Sequence, residues 1–308
     1  MKACVILNPT SGRGRAARLR SRIERALHAS SLDFTLLQSE RPLHAVELAL
    51  QAVRDGFETV ISAGGDGTLN EILNGLMQAR AEGLPNPALG VIGIGTGNDF
   101  AASLDLPRKI EDAVSAIKGN LRRKIDIGLL KGCDFPQGRY FANCVGIGFD
   151  AAGGVLAERI TWTRGLLAYL IAALQNIFIY YKAPTLKIQL DSETIHMPSL
   201  LVSIMNGTRI GGGFHTAPDA KPDDGLFDLC IAEEVSRPRM LTLLPHFLKG
   251  TQATQPEIAM KRSRQVTLTA TKGGMPVQVD GELLADNCRE LSVEILPAQL
   301  EVIGVGNA

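Results

Sequence analysis

Short apolar runs alternate with stretches of helical spacing through the first 125 residues, and the runs end in turns rich in glycine, asparagine or serine. Runs at 3–7, 34–37, 59–62 and 89–92 read as strands, and 16–29, 45–53 and 69–77 read as helices. In the first helix Leu19, Ile23, Ala26 and Leu27 recur at the spacing of one helical face. Strand–helix alternation with short turns predicts a parallel, doubly wound α/β sheet. Ligands of such sheets bind at the carboxyl ends of the strands. The Gly-rich turns here follow strands, so they belong to those ends.

The pattern changes after Arg123. Strand-like runs then dominate, at 124–130, 140–145, 186–190, 200–205, 226–232, 266–270 and 277–279. The main helical interruptions are 165–181 and 238–249. This predicts a second domain, an antiparallel β-sandwich, with a boundary near residue 125. The balance of 32 basic and 32 acidic side chains excludes a general nucleic-acid coat, which needs a basic excess. Five scattered cysteines, Cys4, Cys133, Cys144, Cys230 and Cys288, with no C-x-x-C pair, suggest neither a disulfide framework nor a zinc site. They suit a reducing, cytoplasmic setting, and no signal segment is visible. The run 165–181 carries no charge and 14 apolar or aromatic residues, with Gln175 and Asn176 inside it. It is short for a span and reads as a buried helix, or as one lying on a bilayer surface. Trp162 beside it would anchor packing or sit at a lipid interface.

Ala63-Gly64-Gly65-Asp66-Gly67-Thr68-Leu69-Asn70-Glu71 is the strongest local signal. It follows a strand and opens a helix. Its glycines let the backbone approach a bulky ligand, and N–H groups at the helix start favour an anion. Asp66 cannot hold a phosphate directly. It can work through a divalent cation or as a base; the structural alternative is a tight turn with an Asp cap. Gly93-Ile94-Gly95-Thr96-Gly97-Asn98-Asp99-Phe100 repeats the chemistry after the next strand, with Thr96 and Asn98 as hydrogen-bond donors and Asp99 as a second carboxylate. Asn8-Pro9-Thr10-Ser11-Gly12 makes a third polar loop after the first strand.

The second half has acidic turns of its own: Asp223-Asp224-Gly225-Leu226, and Val279-Asp280-Gly281-Glu282 at a strand end. If that strand continued, Asp280 and Glu282 would share a face. No G-x-x-x-x-G-K-[ST] is present, which excludes an ordinary P-loop. Gly12-x-Gly14-x-x-Ala17 fits a dinucleotide fingerprint only loosely, because four residues separate it from the strand end.

Taken in order, Asn8-Pro9-x-Ser11-Gly12, Gly64-Gly65-Asp66-Gly67-Thr68-x-Asn70-Glu71, Gly95-Thr96-x-Asn98-Asp99-Phe100-Ala101, Asn206-Gly207-x-x-x-Gly211-Gly212, Asp223-Asp224-Gly225-Leu226 and Asp280-Gly281-Glu282 resemble the diacylglycerol kinase catalytic-domain family, which includes bacterial lipid kinases and sphingosine and ceramide kinases. The resemblance covers nearly the whole chain. It implies an ATP- and Mg2+-dependent kinase acting on a lipid hydroxyl. It also implies a Rossmann-like nucleotide domain at 1–125, a β-sandwich lipid-substrate domain at 126–290, and residues 291–308 returning to the first. Asn8, Pro9, Thr10, Ser11, Gly12, Gly65, Asp66, Gly67, Thr68, Asn70, Glu71, Thr96 and Asn98 would contact the nucleotide, as would Ser39. Ser39 departs from the pattern, since Leu43 stands where the family has glycine. Asp280 and Glu282 would hold the catalytic base, with Asp66 as rival. Asp224 would bind a structural magnesium with the carbonyls of Lys221 and Leu226, and Asp99 and Asp126 would join that network.

Two other classes stay open. An NAD kinase shares the Gly-Gly-Asp-Gly-Thr loop, and a non-catalytic lipid- or nucleotide-binding regulator could keep the fold. Such a regulator should have lost carboxylates that this chain retains. Arg15, Arg18, Arg22 and Arg25 fall on one helical face. That face is either a solvated surface or a patch attracted to anionic lipid headgroups. Peripheral membrane association and a homodimer are the expected partnerships.

Overall fold

The computed structural model describes residues 2–133, 135–160, 163, 166–180 and 183–304. They form two compact units. One comprises the described residues of Met1–Ile125 and Ala298–Ala308, the other Asp126–Pro297.

In the first unit β1 (Lys2–Leu7), β2 (Asp33–Gln38), β3 (Thr59–Gly64) and β4 (Ala88–Gly93) pair in parallel in the order β2-β1-β3-β4. Between and after them run α1 (Ser11–Ala29), α2 (His44–Arg54), α3 (Asp66–Ala81), α4 (Asp99–Ser103) and α5 (Ile110–Gly119). Residues 3–7 of β1 are wholly buried, because helices cover both faces of a parallel sheet. Ala3, Val5 and Leu7 pack with Ile23 and Leu27 of α1 and Val114 and Ile117 of α5. The chain leaves β1 toward β2 and then returns past it to β3. The topological switch point therefore falls between β1 and β3, where Asn8 and Gly65 follow the strand ends.

The second unit contains β5 (Arg122–Gly132) beyond Ile125, β6 (Phe135–Phe141), β7 (Cys144–Gly148), α6 (Phe149–Arg159), α7 (Leu166–Gln175) and a π-helical turn Asn176–Tyr180. It continues with β8 (Thr185–Gln189), β9 (Thr194–Met205), β10 (Phe227–Glu233), α8 (Arg237–Lys249), β11 (Ile258–Ser263), β12 (Gln265–Lys272), β13 (Met275–Val279) and β14 (Glu282–Cys288). The first part of β15 (Glu290–Ile303) completes it. Strand pairs here are antiparallel. One layer runs β14-β13-β7-β9-β10-β11. The early residues of β9 pair instead with β8, which leads through β12 to β15. Val145, Ile147, Val202 and Ile204 of the first layer share a core with Leu186, Ile188, Val266, Leu268 and Val293 of the second, giving a sandwich. Phe141 stacks on Phe227 with centroids 5.6 Å apart. A Cβ on Gly128 would collide with the Phe141 ring, so glycine is required there.

The fold departs from the sequence reading in four places. The return to the first unit begins at Ala298, not at 291, because residues 290–294 of β15 still pair with β12. Helix α6 was not anticipated. The run at 165–181 breaks at Gln175 into the π-turn; its ends, Gly165 and Tyr181, lie outside the described residues, as does Trp162. Ala168, Ala172, Ala173 and Ile177 are buried while Leu166, Leu167, Leu174 and Phe178 are exposed, so the run is neither fully interior nor uniformly apolar to solvent. Among the described residues no helix is long and apolar enough to cross a membrane. Lastly, Cys133 and Cys288 form a disulfide across 155 residues of chain, where the scattered cysteines had suggested no disulfide framework. Sequence distance hid the pair; the fold brings their Cα atoms to 4.9 Å.

Titration of unfolded protein should therefore find three thiols before reduction, those of Cys4, Cys144 and Cys230, and five after it. Cys133→Ser should lower stability by about 2–4 kcal/mol, measured by urea unfolding without reductant.

Candidate functional site

Two of the three polar loops of the first unit, those after β1 and β3, meet at one hydroxyl. Asn8 Nδ2 donates to Thr68 Oγ1 at 3.0 Å, and Ser11 Oγ lies 3.1 Å from the same atom. Asn8 Oδ1 accepts from the Thr10 N–H at 3.0 Å and from its hydroxyl at 2.8 Å, fixing the turn after β1. Gly12, Arg13 and Gly14 all have positive φ, so the regular part of α1 begins at Arg15, and the Gly14 N–H donates to the Thr10 carbonyl at 2.9 Å. A Cβ on Gly12 would stand 2.5 Å from the Ile94 carbonyl, which ties this loop to the end of β4. Pro9 holds the turn between them, and its carbonyl accepts from Ala17 N.

The Gly65 and Gly95 loops touch backbone to backbone: a Cβ on Gly95 would lie 2.5 Å from Gly65 Cα. Asp66, the first residue of α3, accepts the Phe100 N–H at 3.2 Å. Asp66 and Asp99 carboxylates both border Gly97. Asn98, in left-handed backbone, donates to the Gly95 carbonyl at 3.1 Å, while its buried Oδ1 has no partner. No side chain caps α3, so donors at its start, around Gly67 and Thr68, stay available to an anion. Thr96 is exposed at the loop tip. Ser39 is buried just beyond β2 and its N–H reaches Leu7 O at 2.9 Å, placing it beside the end of β1.

Two residues of the motif serve the scaffold instead. Asn70 is fully buried and takes the Asn74 amide. Glu71 caps α2, its oxygens accepting the Leu43 and Ala45 N–H groups at 3.0 and 3.1 Å. A carboxylate so placed satisfies donors that a helix start leaves open. Leu43 holds positive φ at that cap.

In the second unit Asp280 and Gly281 are the two central residues of the β13–β14 hairpin, both with positive φ, as a tight Asp-Gly turn requires. The strand does not continue, so Asp280 and Glu282 do not share a face. Asp280 is buried: Oδ1 accepts Asn143 N at 3.0 Å and Cys144 N at 2.9 Å, and Oδ2 accepts Ala142 N at 3.1 Å. Asn206, from the Asn-Gly motif, braces the same loop through the Ala142 carbonyl at 2.9 Å. Glu282 opens β14 with a half-exposed side chain, paired at 3.2 Å to the largely buried Arg139.

The proposed magnesium ligands do not form a vacant site. Asp224 Oδ2 is paired with Arg262, and Oδ1 takes the Leu226 N–H at 3.2 Å. Asp126 Oδ2 takes the Gly225 N–H at 2.7 Å. Lys221 is exposed, and among the described residues no three His, Cys, Asp or Glu side chains cluster for a metal. Arg262 supplies the cation, so this donor set does not fit a structural magnesium. Asp99 belongs to the other unit's glycine loop. The arginine face is also modified: Arg22 pairs with Glu111 of α5, whose carboxyl is held down to about 2 by that hydrogen bond.

Sequence reasoning missed Arg139, Gln278 and Asp150. Asp150 keeps some exposed surface, but its carboxyl is enclosed and accepts Ser203 Oγ at 3.1 Å. Burial pushes it up to about 6, against weaker lowering by hydrogen bonds from Ser203 and Gln278. Gly146 leaves the space that the carboxyl fills, which is the trace such a residue leaves in sequence: a strand glycine four positions before an acid.

The diacylglycerol kinase catalytic domain family matches residues 2–130, and the family described as YegS C-terminal NAD kinase beta sandwich-like domain matches 143–304. The chain is 31% identical to a diacylglycerol kinase of Staphylococcus haemolyticus (strain JCSC1435) over 291 residues, 92% of this chain and 83% of that one. To a diacylglycerol kinase of Bacillus subtilis (strain 168) it is 30% identical over 293 residues, covering 91% and 89%. A crystal structure of a diacylglycerol kinase from Bacillus anthracis str. Sterne has a TM-score of 0.73 at 21% identity, over 99% of this chain and 97% of that one; at that identity the likeness concerns the fold.

Two stability measurements check the geometry. Glu71→Ala should cost about 1–2 kcal/mol through the lost cap of α2. Asp150 has a folded pKa above its unfolded value, so its contribution is present at low pH and lost as pH rises from about 4 through about 6. Asp150→Asn should then raise stability at neutral pH by up to about 3 kcal/mol and flatten that slope.

Proposed function

This chain belongs to the diacylglycerol kinase family and is a lipid kinase; from that premise we propose that it moves the γ-phosphate of ATP, supplied as its magnesium complex, to the hydroxyl of diacylglycerol or a closely related lipid. The reading is supported above all by the Asn8–Thr68–Ser11 node, which joins the loops after β1 and β3, and by the approach of Gly95 to Gly65, which brings the loop after β4 to the same sheet end. Phosphoryl transfer asks for positioning and charge stabilisation rather than covalent help. The first unit would supply these through the N–H groups opening α3 and the Ser11 and Thr68 hydroxyls.

The base would be Glu282. A base needs a lone pair open to the proton it takes. Asp280 commits its carboxylate to three backbone donors, whereas Glu282 stands half-exposed and is oriented by Arg139. Asp280 would hold the hairpin that carries Glu282. Asp66 would hold the two glycine loops together through Phe100 N. The enzyme would work at a membrane surface, where its lipid lies.

The test is transfer of label from γ-labelled ATP to micelle-dispersed diacylglycerol, phosphatidylglycerol, a sphingoid base and a glycolipid, and to NAD. Label is expected in diacylglycerol. Glu282→Gln should lower kcat by about two to four orders of magnitude with an unchanged melting temperature. Asp280→Asn should lower both, since an amide cannot accept all three N–H groups. Label in NAD alone would overturn the lipid reading, and ATP binding without transfer to any acceptor would make the chain a regulator.

A further inference from the structure

A buried polar chain runs from α6 to the hairpin that carries Glu282. Ser203 Oγ of β9 donates to Asp150 Oδ2 at 3.1 Å, and Gln278 Nε2 of β13 lies beside the same oxygen over Gly146, where a Cβ would meet both atoms. Gln278 Nε2 also lies 3.5 Å from Cys144 Sγ. The other end of that side chain is aimed at the turn: Gln278 Oε1 accepts the Gly281 N–H at 2.7 Å. Gln278 is buried on the face of β13 opposite Met275, Val277 and Val279, which point into the sandwich core. A buried glutamine in such a place needs both its amide ends satisfied.

The carboxamide can be placed two ways round, and its neighbours choose between them. An ionised carboxylate only accepts, so it draws Nε2 toward Asp150 and leaves Oε1 facing Gly281. Reversed, the carboxamide would set N–H against the Gly281 N–H and leave the turn without its acceptor. We propose that Gln278, oriented by Asp150, is a positioning residue for the reaction: it fixes the Asp280-Gly281 turn and so sets the direction in which Glu282 leaves it.

This rests on Glu282 as the base. The groups facing Asp150 are the Ser203 hydroxyl of β9, the Gln278 amide, the thiol of Cys230 on β10 and the Gly146 backbone of β7, with the Cys144 thiol beside Gln278. Burial pushes the Cys230 thiol up to about 12, with the Asp150 charge adding to it, so it stays neutral where Asp150 titrates. The neighbouring elements carry few charges: His196 on β9, Asp228 and Glu233 on β10, Glu282 and Asp286 on β14, and none on β7, β13 or α7. Protonation of Asp150 gives it a donor of its own and releases the choice of amide orientation. Turnover should therefore fall as pH drops through about 6.

The experiment compares kcat and KM for ATP and diacylglycerol in the wild type, Gln278→Met, Asp150→Asn, the double variant and Glu282→Gln, between about pH 5 and about pH 8. Gln278→Met should lower kcat about ten- to a hundredfold with KM for ATP unchanged. Asp150→Asn should lower kcat at neutral pH and remove the inflection near pH 6, and the double variant should be no worse than the poorer single one. Wild-type kcat in Gln278→Met, while Glu282→Gln is inactive, would overturn the positioning role and leave the base assignment standing. Retained turnover in Glu282→Gln would overturn both. Should Gln278→Met not fold, Asp150→Asn decides alone: an unaltered pH profile overturns the proposal, and a flattened one supports it.

Discussion

The approach of Gly65 to Gly95 governs the first unit. Neither position admits a Cβ without displacing the other loop's backbone. The two loops follow β3 and β4, which pair in register to their last residues, Gly64 opposite Gly93. Adjacent parallel strands thus deliver two turns to the same edge, and glycine lets them close on each other instead of splaying. Asp66 then fastens one to the other through Phe100 N, and Gly12 packs on Ile94 from the third. What remains open is the row of donors at the start of α3. A side-chain cap there would satisfy those donors and remove the anion site. Here Asp66, the acid in the first turn, is turned to the Phe100 N–H, and Glu71, further along, caps a different helix, α2.

The second unit solves a different problem, holding one carboxylate ready on the edge of an antiparallel layer. Its device is the Asp-Gly turn. Two left-handed residues reverse the chain at once, so Glu282 is the first residue of β14, opposite Val279, rather than a same-face neighbour of Asp280. Asp280 turns inward and gathers three N–H groups from 142–144, a stretch with no ladder partner for them. One acid is thus consumed by the scaffold while the other, paired with Arg139, stays half-exposed. Arg139 brings positive charge to Glu282 from a largely buried position, where rotational freedom is small.

The alternation of short buried strands with amphipathic helices made the parallel sheet readable, since both carry strong periodic signals. The three glycine loops were readable for a related reason: close backbone approach admits few residue types. Loss of alternation after residue 123 marked the sandwich. What escaped were relations between distant residues. Nothing local says that Glu71 reaches back to Leu43, that Arg262 covers Asp224, or that Cys133 meets Cys288. Helix α6 escaped because its Gly153-Gly154 pair weakens helical propensity, and packing against β7, β9 and β13 must offset that. The Asp280–Glu282 geometry was misread for a definable reason. A period-2 argument holds only while a strand lasts, and Asp-Gly is among the strongest signals that it ends.

These features bear together on β14. It is the edge strand of its layer, hydrogen-bonded on one side only to β13. Edge strands fray more readily than central ones, because half their backbone groups lack a protein partner. A base carried at the first residue of such a strand would wander unless the strand were tied by other means. Here it is tied at both ends. At Glu282 the turn is fixed by Asp280 on the 142–144 backbone and by Gln278 on Gly281 N; at Cys288 the disulfide joins it to Cys133 beyond β5. Between those ends the register shifts at Val277 and Gln278, so the ladder alone does not define its path. If Glu282 takes the proton, the precision that step demands would be carried by side chains at the two termini of β14.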